Sequence, residues 1–201
     1  MTLREPHKPT FREASKDALF LILRPLVRWL SIMRVRPDTL TVIGWTLALF
    51  SAVLFGLGYA RIAGAVMLLG GLFDALDGAV ARESNRMSSF GAFLDSTLDR
   101  LSESAVFVGL IFFYASSARP YEALLAAMAM TFSLLTSYAR ARAEGLNIDC
   151  RVGLLERAGR VVILSVFSIV GLPTVGLGLL AAGALVTTAQ RILHVRRATR
   201  G

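Results

Sequence analysis

From residue 37 onward the chain is written in long apolar blocks separated by brief breaks, and this limits what it can become. A helix needs ~20 consecutive apolar residues to cross the hydrocarbon of a bilayer. Six blocks approach that length, at about 40–58, 62–81, 90–115, 121–144, 158–172 and 174–194. The expected fold is an all-α integral membrane protein with six transmembrane helices. The third block carries charges and the fifth is short. Gly58, Gly171 and Pro173 mark turns, and Gly64, Gly70, Gly71, Gly176 and Gly183 suit close helix contacts. With 55% hydrophobic and 18% charged residues among 201, intrinsic disorder is excluded. A single cysteine, Cys150, excludes a disulfide scaffold, and with no Cys/His cluster it reads as a bystander thiol.

The chain before the first block differs. Residues 1–10 read as a polar tail, and residues 1–18 lack the pattern of a cleaved leader. From Phe11 to Met33, Leu19, Phe20, Leu23, Leu26, Val27 and Leu30 recur at helical spacing, punctuated by Lys16, Arg24 and Arg28. That pattern predicts an amphipathic helix lying in the membrane interface, with a cap on a soluble core as the alternative. Two regions follow: residues 1–36 as cytoplasmic tail and interfacial helix, and 37–201 as a six-helix transmembrane catalytic domain. Arg36-Pro37-Asp38 reads as a break, with Asp38 or Thr39 capping the next helix.

The net charge of +8 comes almost wholly from arginine, since only Lys8 and Lys16 are lysines among 22 basic residues. No nucleic-acid module accompanies it, so the partner is a membrane surface and no nucleic acid is expected. The predicted outer turns, near 59–61, 116–121 and 171–174, carry only Arg61 and Arg119. Cytoplasmic loops are enriched in Lys and Arg, so both termini and the loops at 82–89 and 145–157 are placed inside.

The chemistry lies in Asp74, Asp77, Asp95 and Asp99. Residues three or four apart share a helix face. Asp74 and Asp77 therefore pair on the second block, and Asp95 and Asp99 on the third. The short connection predicts that these two helices are antiparallel neighbours, with both pairs at the inner edge of the membrane. Four like charges there need relief. Protonation or Arg82 and Arg100 can supply some of it, and a proton or cation path, or polar glue between helices, remains an alternative. Divalent ions satisfy the set best: hard oxygen ligands suit Mg²⁺ or Mn²⁺, and four carboxylates can hold two ions that clamp a phosphoryl displacement. Gly78 and Gly91 leave room for a ligand beside these pairs, and Arg82 can reach a phosphate or base.

The complete spacing D-x2-D-G-x2-A-R-x8-G-x3-D-x3-D runs from Asp74 to Asp99. It resembles the signature of the CDP-alcohol phosphotransferase family. The resemblance implies six membrane helices after an interfacial helix, a homodimer, and two cations bridged by Asp74 and Asp95. Asp77 would complete one ion and Asp99 the other, with Asp99 also the general base. Gly78, Arg82 and Ser88 would contact the CDP moiety of the donor. Pro37-Asp38-Thr39-Leu40-Thr41 resembles the family's P-N-x-L-T, near the nucleotide, with Asp38 in place of Asn; Pro37, Asp38 and Thr41 join the donor set on that basis.

Two further runs resemble the phosphatidylinositol-phosphate synthase branch. Ser137-Tyr138-Ala139-Arg140-Ala141-Arg142-Ala143-Glu144 is similar to S-Y-x-K-A-R-A-E. Glu156-Arg157-Ala158-Gly159-Arg160 is similar to E-R-P-E-R, lacking the Pro and second Glu. By that likeness Ser137, Arg140, Arg142, Arg157 and Arg160 would hold inositol phosphate, and arginines suit a phosphorylated acceptor. Anchoring of helix ends at lipid headgroups is the other reading of these arginines. The implied reaction moves a phosphatidyl group from CDP-diacylglycerol to a polyol phosphate with release of CMP, at the inner face of a prokaryotic plasma membrane. Glycerol 3-phosphate or another alcohol remains an alternative acceptor, and a cation transporter a more distant reading.

Overall fold

The computed structural model describes residues 24–33, 35–83 and 88–200, and these are helical apart from short connections and a strap at 145–156. Six helices follow in chain order: α1 (Pro37–Gly56), α2 (Ala60–Glu83), α3 (Ser89–Ser116), α4 (Pro120–Glu144), α5 (Arg157–Ile169) and α6 (Pro173–Ala198). They coincide with the six predicted blocks. Prolines open α1, α4 and α6, where the missing N–H has no helical partner to lose. Pro37 therefore begins a helix rather than breaking one. Arg36 is the N-cap residue and no side chain caps α1, so the expected caps by Asp38 or Thr39 are not formed.

The connections 57–59 and 170–172 turn through Gly58 and Gly171, both at positive φ, as the sequence indicated. The chain thus alternates in direction. α1, α3 and α5 begin at one end, where α2, α4 and α6 finish. The helices close into a ring in the order α1, α2, α5, α6, α4, α3 and back to α1. This corrects one expectation: α2 and α3, although consecutive, are not a principal packing pair. Small residues set the order. On α1, Gly44 approaches the Gly70 carbonyl of α2, while Gly109 of α3 lies against the Ala52 carbonyl of α1. Gly64 of α2 meets Ser165 and Ser168 of α5, so a side chain at any of these positions would push neighbouring helices apart.

Phe55, Val106, Phe107, Leu110, Tyr114, Leu164, Leu177 and Leu180 fill the ring away from the end where α1 starts. At that far end Arg119 lies over the Tyr114 ring and pairs with Glu122. Large apolar side chains such as Phe50, Val53, Ile62, Phe112, Leu124 and Val166 face outward. Among the described residues four helices, α1, α2, α4 and α6, are long and apolar enough to cross a membrane. α3 carries Asp95, Asp99, Arg100 and Glu103, and α5 has 13 residues, about 20 Å of helix.

The strap before α5 lies along α6. Gln190 and the Thr187 hydroxyl accept from the Leu154 and Leu155 amides, and Arg191 donates to the Val152 carbonyl. Backbone that leaves a helix inside such a bundle needs these partners. Of the predicted interfacial helix, residues 24–32 are helical; 11–23 lie outside the described residues. Val27 is buried against Leu40 of α1 and Leu76, Ala79 and Val80 of α2, while Arg24, Arg28 and Trp29 are exposed.

Candidate active site

At the end where α1, α3 and α5 start, the ring is lined by charge rather than hydrocarbon. Asp74 projects from the later turns of α2, and Asp95 and Asp99 from the first turns of α3. One ligand oxygen from each lies within 4.8 Å of the others. They meet across the interior of the ring, because α1 packs on both α2 and α3 while those two stay apart.

Asp77 does not join this group. It is 5% exposed and its Oδ2 accepts from the Thr41 hydroxyl at 2.6 Å; that hydroxyl also lies 3.2 Å from the Pro37 carbonyl. The Pro37–Thr41 turn of α1 is thereby tied to the aspartate pair of α2. Hydrogen-bonded neighbours of this kind fix the orientation of a carboxylate ligand.

Among the described residues, Arg157, the first residue of α5, is the arginine that pairs with the cluster. Its Nη1 lies 2.6 Å from Asp74 Oδ2 and its Nη2 2.8 Å from Asp99 Oδ1. Neither Arg82 nor Arg100 takes this role: Arg100 donates to the Ser96 carbonyl, and Arg82 is exposed with its Nη1 3.4 Å from the place of a Cβ on Gly78. A Cβ at Gly78 would only touch the end of the Arg82 side chain.

The other members of the expected donor set are near but differently engaged. Ser88 is the N-cap of α3 and accepts from the Gly91 amide at 2.9 Å, so both residues shape the start of the helix that carries Asp95 and Asp99. A Cβ on Gly91 would sit 3.0 Å from that hydroxyl. Pro37 is half-buried and Asp38 is exposed on the first turn of α1.

Beside the carboxylates opens a polar cavity of about 370 Å³. Asp95 and Asp99 line it on one side, and Ser137, Arg140, Arg157 and Arg160 of the expected acceptor set on the other. Arg142 does not reach it. It is exposed and lies two residues from Arg140, on another face of α4. Arg160 reaches the cavity but is 2% exposed and spoken for: Nε and Nη2 donate to the two carboxylate oxygens of Glu103 at 2.6 and 2.9 Å. Its Nη2 also lies 3.4 Å from the Ser137 hydroxyl. Arg140 pairs with Glu144 at 2.8 Å.

Sequence reasoning missed two residues here. Glu103 follows Asp95 and Asp99 at the same four-residue interval, so one face of α3 carries all three carboxylates. Arg191, 3% exposed on α6, lines the cavity and donates to the Thr136 carbonyl at 2.5 Å. A lone charge in the last apolar block was the available signal.

The donor chemistry fits a divalent cation: all-oxygen, anionic and clustered. Together with the polar cavity it makes a candidate site for phosphoryl transfer at one end of a helical ring. Residues 34–190 match the CDP-alcohol phosphatidyltransferase family, and the protein belongs to that family of integral membrane enzymes. Archaetidylinositol phosphate synthase of Methanothermobacter thermautotrophicus is 36% identical over 165 residues, covering 79% of this chain and 82% of that protein. The crystal structure of Mycobacterium tuberculosis phosphatidylinositol phosphate synthase with CDP-DAG bound superposes with a TM-score of 0.77 at 34% identity, covering 85% of this chain and 92% of that one. The structure of the same mycobacterial enzyme with manganese and citrate matches with a TM-score of 0.77 and 34% identity, over 86% of this chain and 88% of that one.

Proposed function

We propose that the protein transfers a phosphatidyl group from CDP-diacylglycerol, or a related CDP-lipid, to a hydroxyl of inositol phosphate and releases CMP. One observation carries the reading: two of the three clustered carboxylates, Asp95 and Asp99, open onto a polar cavity that Arg140, Arg157 and Arg160 also line. The first suits the pyrophosphate of a CDP-lipid through divalent cations, the second a phosphorylated acceptor. Relatives named for the synthesis of inositol phosphate lipids agree with it.

Asp74, Asp95 and Asp99 would hold two Mg²⁺ or Mn²⁺ ions, with Asp77 turning toward them from Thr41. Such ions, when bound, neutralise charge on a pyrophosphate and on departing CMP. The remaining work falls to side chains. Arg140 and Arg157 face the acceptor's phosphate across the cavity, and Ser137 offers its hydroxyl to the polyol. Asp99 borders the carboxylate cluster and the cavity alike, which supports its role as proton acceptor for the attacking hydroxyl. The acceptor oxygen bonds to the β-phosphorus, the bond to the bridging oxygen breaks, and the hydroxyl proton passes to Asp99. On the donor side Gly78, Arg82 and Ser88, with Pro37, Asp38 and Thr41, border the nucleotide.

The same reading sets the surroundings. All six helices cross the membrane, α3 and α5 included, because their charges face the ring rather than lipid. The segment 24–32 lies in the interface within an N-terminal region 1–36, and its buried Val27 with exposed Arg24, Arg28 and Trp29 supports this. Both termini and the site face the cytoplasm of a prokaryote, since Arg61 and Arg119 are the basic residues of the far turns. The enzyme works as a homodimer.

The test is CMP release from CDP-diacylglycerol by purified protein with inositol phosphate, glycerol 3-phosphate, inositol, serine or no acceptor. Release requires Mg²⁺ or Mn²⁺ and is fastest with inositol phosphate. Asp95→Asn abolishes it while the protein still inserts. Wild-type rates in that variant, or equal rates with unphosphorylated acceptors, would refute the assignment.

A further inference from the structure

Arg157 stands between the two halves of the site. Its guanidinium spans Asp74 and Asp99 at 2.6 and 2.8 Å, while the same side chain lines the polar cavity. A cation bound by those aspartates and the guanidinium that bridges them are like charges within a few ångströms, and the guanidinium already engages one oxygen of each aspartate. The two therefore disfavour each other.

The surroundings say where the arginine can go. Its Nε is buried without a hydrogen-bond partner, so the bridging position leaves one of its donors unserved. Arg140 and Arg160 are already held by Glu144 and Glu103. The cavity wall as a whole carries five carboxylates and five guanidiniums, and so presents no net charge to an anion. Divalent cations on the aspartates would convert that balance into an excess of positive charge beside the cavity.

We propose that Arg157 is an exchangeable counter-ion, which bridges Asp74 and Asp99 until divalent cations bind and then turns to the acceptor's phosphate. By that exchange it makes cation and acceptor binding depend on each other. This rests on the carboxylate and acceptor reading given above. The coupling is reciprocal by thermodynamic necessity: what the cation does for the phosphate, the phosphate does for the cation.

The experiment is Mn²⁺ binding to the full chain in lipid nanodiscs, read by the electron paramagnetic resonance of free Mn²⁺, with and without saturating inositol phosphate. In the wild type, inositol phosphate tightens Mn²⁺ binding by roughly tenfold. Arg157→Gln binds Mn²⁺ more tightly than wild type in its absence and gains little when it is added. Arg157→Lys, a point charge that cannot fork between two carboxylates, falls between and guards against a folding defect in the Gln variant. Unchanged or weaker Mn²⁺ binding in Arg157→Gln, or full coupling retained in both variants, overturns the proposal. A wild type that binds no Mn²⁺ in either condition overturns the carboxylate reading itself.

Discussion

Glu103→Gln tests how the floor of the cavity is built. Arg160 is 2% exposed, and Glu103 meets it through two hydrogen bonds of 2.6 and 2.9 Å. Glutamine keeps the shape and one acceptor, but leaves a buried guanidinium with no counter-charge and turns an amide N–H₂ toward its donors. Breaking a buried ion pair from one side costs about 3–5 kcal/mol, and the retained acceptor places this change near 3. For a chain of this size each kcal/mol moves the melting temperature by about 2–4 °C, so a fall of about 6–12 °C is expected. Cys150 supplies the assay: it is the chain's one cysteine and fully buried, so a thiol-reactive dye reports its exposure on heating. The double change Glu103→Leu with Arg160→Met should recover much of the loss, because apolar residues of similar volume replace buried pairs at little cost. A melting temperature for Glu103→Gln within about 1 °C of wild type would refute the reasoning, since the pair would then carry less than a surface bridge does.

Two further outcomes follow from the packing and the cavity. Gly109→Ala drives a Cβ into the Ala52 carbonyl and must separate α1 from α3, at a cost of about 1–3 kcal/mol, whereas Gly178→Ala meets nothing within 4 Å and should stabilise α6 by about 0.5–1 kcal/mol; melting shifts of the same sign in the two variants would count against the helix contacts. Arg140→Ala should raise the KM for inositol phosphate, while Arg142→Ala, on the exposed face of α4, should leave it unchanged. Steady-state CMP release separates these, and a raised KM in Arg142→Ala would return that residue to the site.

The helices themselves were legible because each is announced by local chemistry. Apolar runs mark their lengths, and Gly58, Gly171 and Pro173 the turns between them, although Pro37, read as a break, opens α1. Their order around the ring was not. A short connection argues for adjacency, yet α2 and α3 stand apart because α1 offers each a closer fit. Gly44 and Gly70 bring the α1 and α2 backbones together, and Gly109 with Ala52 does the same for α3 and α1. Which glycine meets which carbonyl depends on partners remote in sequence, and no periodicity within one block encodes that.

The site divides along the same line. Asp74, Asp95 and Asp99 were readable because their spacing on two helices is a local property, and the structure gathers their oxygens within 4.8 Å. The arginines were readable as a group but not as individuals. Which of them serves the cavity depends on how it is held: buried Glu103 of α3 fixes Arg160, Arg140 pairs with Glu144 only at the exposed surface, and Asp74 with Asp99 take Arg157. A guanidinium held along one edge by both oxygens of a buried carboxylate is a strut, whereas one hydrogen-bonded to prospective metal ligands has reason to move. Arg157 and Arg160 share one short helix, three positions apart, so neighbouring side chains of the same chemistry differ in function only through the acids they face.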